Sequence, residues 1–384
     1  MTKTTRPRPE RGDPTAIAAP LARWYAGARR DLPWRRNPDP YPVWLSEIMC
    51  QQTRVSVVIP YFERFLSEFP RVEDLAAAPV ERVLELWAGL GYYSRGRNLK
   101  RAAQTVVEEH GGEFPNTITG LRSLPGVGEY TAAAIGSIAF DLPEPVIDGN
   151  VERVLARHGA VAGDVKKGEP RKEIRERARH ALDEENPGDH NQAMMELGAT
   201  VCTPKNPTCD ACPIAESCAA FAEGTPEAYP PVRAKRAPET QHWVALAIEW
   251  EGEVWTVARD GDEELLPGHR GLPLGKVAAK DDAPTEKSLL KAARELLAAA
   301  GSSDSTAVRE TRGDAELELR APVRHSITYR RLHVHPVVVR GLDPRAVSGD
   351  FEAKDPGQLP ALFRKIIHAL RAPQLKSPKR PAID

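Results

Sequence analysis

The sequence predicts an all-α domain followed by an α+β domain, on three observations. Upstream of about Gly224 apolar residues recur three and four apart, the period of helices with one buried face. From Thr225 to Glu239 (TPEAYPPVRAKRAPE) prolines and charges replace any apolar period, as in an extended linker. Beyond that stretch the apolar period becomes two.

Residues 1–13 carry Lys3, Arg6, Arg8 and Arg11 among prolines, so a disordered basic arm is expected there, with order from Pro14. Helices are expected over Val80 to Leu90 and Leu99 to Glu109, within a first domain of residues 14–224. The linker takes 225–241. In the second domain, 242–371, Val244, Leu246 and Ile248 alternate, Glu251-Gly252-Glu253 offers a turn, and Val254, Trp255 and Val257 resume, which reads as a β-hairpin. A helix is expected near Glu286 to Ala300, strands near Glu316 to Leu319 and Leu332 to Val339, and a helix near Pro360 to Leu370. Residues 372–384, with Lys376, Lys379 and Arg380, are expected to form a flexible tail.

A chain of 384 residues has room for two or three domains. With 41% hydrophobic and 28% charged residues, collagen, a long coiled coil and wholesale disorder are excluded. The longest apolar stretch, near Ala132 to Phe140, falls short of the ~18 residues of a membrane span, and no apolar segment follows the basic amino end. A cytoplasmic protein is therefore expected. The net charge of -1 leaves nucleic acid open as a partner, because binding depends on where charges sit.

Four of the five cysteines, Cys202, Cys209, Cys212 and Cys218, form a C-x6-C-x2-C-x5-C array just before the linker. Disulfides are disfavoured in a reducing compartment, so the cluster points to metal, and both zinc and iron-sulfur accept four thiolates. Zinc sites usually show two close pairs and here only Cys209 and Cys212 form one, which tilts the choice toward iron-sulfur without deciding it. Cys50 lies far off beside an apolar helix face and reads as a buried small hydrophobe.

Leu124-Pro125-Gly126-Val127-Gly128 sits between two helical segments. Its glycines permit a tight turn that brings backbone N–H groups at the next helix start toward a phosphate, positioning DNA without reading bases; a plain helix-helix turn has the same pattern. Downstream, Asp148 ends the apolar run Val146-Ile147 where a helix begins, as a functional acid or a mere N-cap would.

In this order, the turn, the aspartate and the cysteine array make the chain resemble the helix-hairpin-helix DNA glycosylases, and among them the adenine glycosylases of the MutY type. The segments that carry the resemblance are LPWR (Leu32 to Arg35), VWLSEIMCQQT (Val43 to Thr53), PYFERF (Pro60 to Phe65), GLGYYSRGRNL (Gly89 to Leu99), LPGVGEYTA, VIDGNVERVLAR (Val146 to Arg157) and NQAMMELGATVC (Asn191 to Cys202). The resemblance implies a helix-hairpin-helix glycosylase domain with an iron-sulfur loop holding one [4Fe-4S] cluster. It also implies removal of adenine mispaired with 8-oxoguanine or guanine in base excision repair, by a monomer acting on double-stranded DNA with no membrane.

One position separates chemistries within the resemblance. Relatives that also cut the backbone carry a lysine two residues after the second glycine of the hairpin, where its amine forms a Schiff base. Here Tyr130 stands there, so base removal leaving an abasic site is expected, without true lyase activity. On pattern alone Glu47 reads as a surface glutamate on an amphipathic helix; the resemblance reverses that and makes it the general acid, kept protonated by apolar neighbours. Asp148 is then the ionised stabiliser of a sugar cation, Asn150 orients it or the water, and the Tyr130 hydroxyl bonds Asp148 or the sugar. The target nucleotide must leave the stack. Gln52 and Tyr92 match the residues that wedge into the duplex, within the loops Gln51 to Thr53 and Leu90 to Tyr93. Arg95, Arg97, Lys100 and Arg101 are placed to pair with phosphates, as a solvated helix face also is.

The second domain resembles, more faintly, a Nudix-like recognition domain. Its match to the hydrolase motif, Arg294-Glu295-Leu296-Leu297-Ala298-Ala299-Ala300-Gly301, has alanines at the paired metal-binding glutamates, so nucleotide hydrolysis is not expected. His325-Ser326-Ile327-Thr328-Tyr329 is the closest segment to the family's 8-oxoguanine loop H-x-F-S-H, which assigns lesion recognition to Ile327, Thr328 and Tyr329; a structural strand edge is the other reading. Two rival functions stand beside the main one: a glycosylase of the same architecture acting on mismatched thymine or oxidised pyrimidine, and a non-catalytic DNA-binding module.

Overall fold

The computed structural model describes residues 10–231, 237–259, 263–266, 269–278, 283–299, 315–346, 350–356 and 359–371. Most of the expected arm, part of the expected linker, the expected tail, and Ala300 and Gly301 lie outside the described residues. The chain divides into two compact units, Met1–Ala234 and Lys235–Asp384.

The first unit is helical: α1 (Ala18–Ala28), α2 (Pro40–Cys50), α3 (Val55–Glu68), α4 (Val72–Ala77), α5 (Val80–Trp87), α6 (Tyr93–His110), α7 (Ile118–Ser123), α8 (Glu129–Phe140), α9 (Gly149–His158), α10 (Gly168–Ala181), α11 (Pro187–Thr200) and the single turn α12 (Ala219–Ala222). Two apolar cores divide it. One packs α2 through α8 around Trp44, Phe62, Phe65 and Trp87. The other packs α1, α9, α10 and α11 around Leu21, Val154, Leu155, Ile174 and Leu197. Helix α8 runs between them, buried from Thr131 to Ser137, and its alanines let both lobes approach closely.

Order starts earlier than the expected arm allows. The Gly12 amide donates to Ser217 O at 2.7 Å and its carbonyl accepts from Arg177, while Asp13 caps the 3-10 turn Pro14–Ala16. The expected linker is also shorter. A 3-10 turn occupies Pro226–Ala228, the Arg157 guanidinium holds Tyr229 O at 3.0 Å, and the first strand already begins at Glu239. Backbone partners from distant residues order these polar stretches, and such partners leave no mark in local composition.

The second unit is a mixed sheet between helices. Among the described residues the strands are β1 (Glu239–Trp250), β2 (Glu253–Ala258), β3 (Arg270–Gly271), β4 (Leu274–Val277), β5 (Glu316–Leu319), β6 (Val323–Ile327), β7 (Arg330–Arg340) and β8 (Phe351–Ala353). The order is β3-β2-β1-β7-β5, with β4 on β1, β6 on β7 and β8 on β2. Strands β1 and β7 are parallel, from Glu239 opposite Arg330 to Ile248 opposite Val339. Helix α13 (Glu286–Ala299) covers Val244, Leu246 and Ile248 on one face; α14 (Ala361–Arg371) covers Trp243, Ala245 and Ala247 on the other. Both faces of β1 are thus buried, not only the alternate residues that its pattern exposes to sequence reading.

Candidate active site

The site is built where the two lobes of the first unit meet. Glu47 lies in the last turns of α2, where every residue from Tyr41 to Met49 is buried. Tyr130, in the first turn of α8, donates its hydroxyl to Glu47 Oε2 at 2.7 Å and touches Met195 Sδ of α11 at 3.5 Å. Burial pushes Glu47 up to about 7; the Tyr130 hydroxyl bond pulls it down, the Asp148 charge pushes it up and Arg35 pulls it down. Burial, with the charge of Glu47 behind it, raises the Tyr130 phenol well above its ordinary range. The Tyr130 hydroxyl was expected on Asp148 or a sugar; in the structure it belongs to Glu47.

Asp148 is the N-cap of α9. Its Oδ1 accepts from Asn150 N at 2.9 Å and Val151 N at 2.7 Å, and its Oδ2 accepts from Asn150 Nδ2 at 3.0 Å. Asn150 therefore orients the aspartate, and Arg153 in turn donates to Asn150 Oδ1 at 2.9 Å. Glu47 and Asp148 act on each other through space, one enclosed and acceptor of a phenol, the other half-buried at a helix start.

Sequence reasoning missed a buried ion cluster beside them. Glu196 of α11, 0% exposed, is clasped by Arg30 at 2.6 Å and Arg35 at 2.8 Å. Burial pushes this carboxyl up, but the bonds from Arg30 and Arg35 outweigh it and hold Glu196 below the usual range. Arg35 and Glu196 lie in segments that carry the resemblance, yet nothing in their spacing pairs them.

The two loops expected to enter DNA flank the same helix end. Gln52 (φ 56°) and Tyr92 (φ 48°) both adopt the left-handed region, and Tyr92 is 51% exposed. Non-glycine residues held there cost of order 1–3 kcal/mol, a strain that gathers at functional positions. Gln51 Nε2 donates to Thr131 Oγ1 at 3.3 Å, and Thr53 Oγ1 accepts from Arg95 at 3.0 Å. Arg95, expected on phosphate, is instead 8% exposed, and its guanidinium donates to internal carbonyls and to the Thr53 hydroxyl. Lys100 is likewise buried and donates to Ala76 O. Leu90, Leu124 and Val127 have side chains in the core, so only their backbone is left to meet DNA.

The hairpin joins α7 to α8. Gly126 has φ +81°, and a Cβ there would lie 2.9 Å from Asn98 Cβ, so both dihedral and space require glycine. Gly128 departs from expectation: its backbone is extended (φ -91°) and a Cβ there would meet nothing within 4 Å, which leaves the start of α8 bare. No side-chain cap bond forms at Gly128, the N-cap of α8, and uncapped amides at a helix start are the groups that an anion can meet.

Cys202, Cys209, Cys212 and Cys218 line one pocket, with Val154, Leu197, Val201, Ile214 and Phe221 around them. Arg157 Nη1 donates to Cys202 Sγ at 3.4 Å, and backbone amides of Ile214 and of Phe221 and Ala220 bond the sulfurs of Cys212 and Cys218. Burial pushes Cys212 up to about 12, so thiolates in this apolar pocket need a cationic centre. No group of three or more His, Cys, Asp or Glu among the described residues is placed to hold a single metal ion. Cys50 packs against the first core, and burial raises it to about 12, as a structural thiol.

In the second unit, Ile327 ends β6 and Thr328-Tyr329 form the turn into β7. Thr328 is left-handed (φ 55°) and exposed, and its Oγ1 donates to Ile327 O at 2.7 Å. The three residues make a hairpin tip. Glu295, on α13, pairs with Lys291 across one turn at 3.6 Å.

No helix among the described residues is long and apolar enough to cross a membrane. The model of the HhH-GPD superfamily of base excision DNA repair proteins matches residues 45–180. An adenine DNA glycosylase of Mus musculus is 49% identical over 218 residues, 54% of this chain and 42% of that protein. One of Buchnera aphidicola subsp. Acyrthosiphon pisum is 38% identical over 244 residues, covering 63% of this chain and 69% of its own length. The chain thus spans about two fifths of its mammalian relatives. A solved thermostable thymine-DNA glycosylase superposes with TM-score 0.50 at 27% identity, over 55% of this chain and 97% of that one.

Proposed function

The chain belongs to the adenine DNA glycosylase family, and from that premise we propose that it removes adenine mispaired with 8-oxoguanine or guanine from double-stranded DNA, leaving an abasic site. The observation that carries this reading is Glu47, enclosed, raised to about 7 and bonded to a tyrosine. A neutral carboxyl donates a proton to a ring nitrogen of the extruded adenine, improving it as a leaving group. Asp148, held by three N–H donors, faces the positive charge that develops on the sugar, and water completes the hydrolysis. Tyr130 has no amine for a Schiff base, which supports base release without strand cleavage. The bare start of α8 and the left-handed Gln52 and Tyr92 are the DNA-facing elements, and the Ile327–Tyr329 tip is the reader of the opposite base.

The four cysteines fit one [4Fe-4S] cluster, by donor type, by the apolar pocket and by the N–H donors aimed at sulfur. Cys202, Cys209, Cys212 and Cys218 would hold the cluster, which would close the 202–218 loop beside the α9 residues Val154 and Arg157 that line the same pocket. Purified protein is expected to show broad visible absorption and about four irons per chain. Zinc as the sole metal would overturn this assignment.

A thymine-directed activity is the rival with a structural basis, given the fold likeness to a thymine-DNA glycosylase. Duplexes carrying adenine opposite 8-oxoguanine, thymine opposite guanine, or thymine glycol separate the readings. Adenine release, with strand scission only after alkali, is the expected result; absence of adenine release ends the main reading.

A further inference from the structure

Arg95 is a buried cation that, among the described residues, has no carboxylate partner. Instead its Nη1 donates to Ile48 O and Met49 O at 2.9 Å and to Gln51 O at 2.5 Å. Its Nη2 donates to Thr53 Oγ1 at 3.0 Å, Leu90 O at 3.1 Å and Gly91 O at 3.2 Å. The guanidinium lies 5.3 Å from the Trp87 ring and 5.6 Å from that of Tyr92. Ile48, Met49 and Gln51 supply carbonyls that the end of α2 leaves without helical partners, and a cation at a helix C-terminus is favoured by its dipole. The remaining acceptors belong to the two loops that each hold one left-handed non-glycine residue, Gln52 and Tyr92.

We propose that Arg95 is a positioning residue that bolts the 51–53 loop, the 90–92 loop and the end of the Glu47 helix into one rigid wedge, so that both loops enter the duplex together. This use of the wedge rests on the glycosylase reading above; the bolt itself does not. A planar fork with several donors reaches acceptors on both sides, whereas an ammonium is a point charge that satisfies few of them. Lysine therefore keeps the charge and loses the bridge.

Two measurements test this on the full chain, with Arg95→Lys as the main variant and Arg95→Ala as the harsher one. Hydrogen exchange of the free protein is expected to show amides of both loops exchanging at least tenfold faster in Arg95→Lys, with the α7–α8 hairpin unchanged. Loosening of one loop alone, or of neither, overturns the bolt. The second measurement is single-turnover adenine release and stopped-flow 2-aminopurine fluorescence, on a duplex with adenine opposite 8-oxoguanine and on one with adenine opposite a tetrahydrofuran abasic analogue. Arg95→Lys should slow extrusion and release tenfold or more on the first duplex and under threefold on the second, with duplex affinity within threefold and added methylguanidinium restoring part of the Arg95→Ala rate. Equal losses on both duplexes overturn the wedge role. If the unaltered protein releases no adenine, the glycosylase reading fails, and hydrogen exchange still decides the bolt. If Arg95→Ala does not fold, Arg95→Lys decides alone.

Discussion

Replacing Tyr130 by phenylalanine isolates the balance that sets Glu47. The Tyr130 hydroxyl favours the charged form of Glu47, opposing the burial that pushes it up to about 7. Release of adenine needs the protonated form, so above pH 7 the single-turnover rate should fall about tenfold per pH unit, since a pKa unit is ~1.4 kcal/mol. A hydrogen bond to a charged group contributes ~1.5–3 kcal/mol, partly shared with the neutral form, so its loss should raise Glu47 by roughly one unit. The alkaline limb should then move from about pH 7 to roughly pH 8 in Tyr130→Phe, giving the variant relatively more activity at pH 9 than at pH 7. The assay is single-turnover release of labelled adenine across pH 5 to 10. A limb that stays in place, or moves down, refutes the assignment of Glu47 as the acid restrained by Tyr130.

Two glycines of the hairpin should separate folding from binding. Gly126→Ala meets Asn98 and an unfavourable φ, so it should lose about 1–2 kcal/mol in denaturant unfolding; Gly128→Ala, with open space, should change stability by under ~0.5 kcal/mol and still weaken duplex binding severalfold. Glu196→Ala leaves Arg30 and Arg35 without a counterion. Because Arg30 is 41% exposed, water relieves part of that, and a loss of about 2 kcal/mol is expected at pH 7. The folded carboxyl sits below its usual range, so its contribution is present above about pH 4.5 and fades as pH falls through the folded value; the gap between the two proteins should close in acid.

The helical lobe was legible because a 3.6-residue period and capping residues are written locally, as in Asp148 at the head of α9. Arg95 was not legible. In the string Ser94-Arg95-Gly96-Arg97 it looks like one more surface cation, and three of its acceptors are backbone carbonyls 44 to 47 residues away that no side-chain pattern announces. Glu196 failed for the same reason, since its partners lie over 160 residues upstream. In the second unit β3, β4 and β8 have 2 to 4 residues, too short for alternation to register, and β1 is covered on both faces by helices that only the assembled sheet recruits.

Asp148 poses the sharpest question about roles, because its geometry serves a helix cap and a charge stabiliser at once. As a cap it needs only an oxygen acceptor for the amides of Asn150 and Val151, and asparagine supplies one nearly as well as aspartate. As a stabiliser of a sugar cation it needs the negative charge, which asparagine lacks. Asp148→Asn should therefore unfold within ~0.5 kcal/mol of the unaltered protein, while Asp148→Ala should lose about 1 kcal/mol with its cap. Both should lose adenine release by at least a hundredfold, since the missing charge is common to them. Thermal and denaturant unfolding beside single-turnover release distinguish the outcomes. If Asp148→Asn keeps its rate, the carboxylate is a cap and nothing more, and the pairing of a neutral with an ionised acid is not how this chain breaks the glycosidic bond.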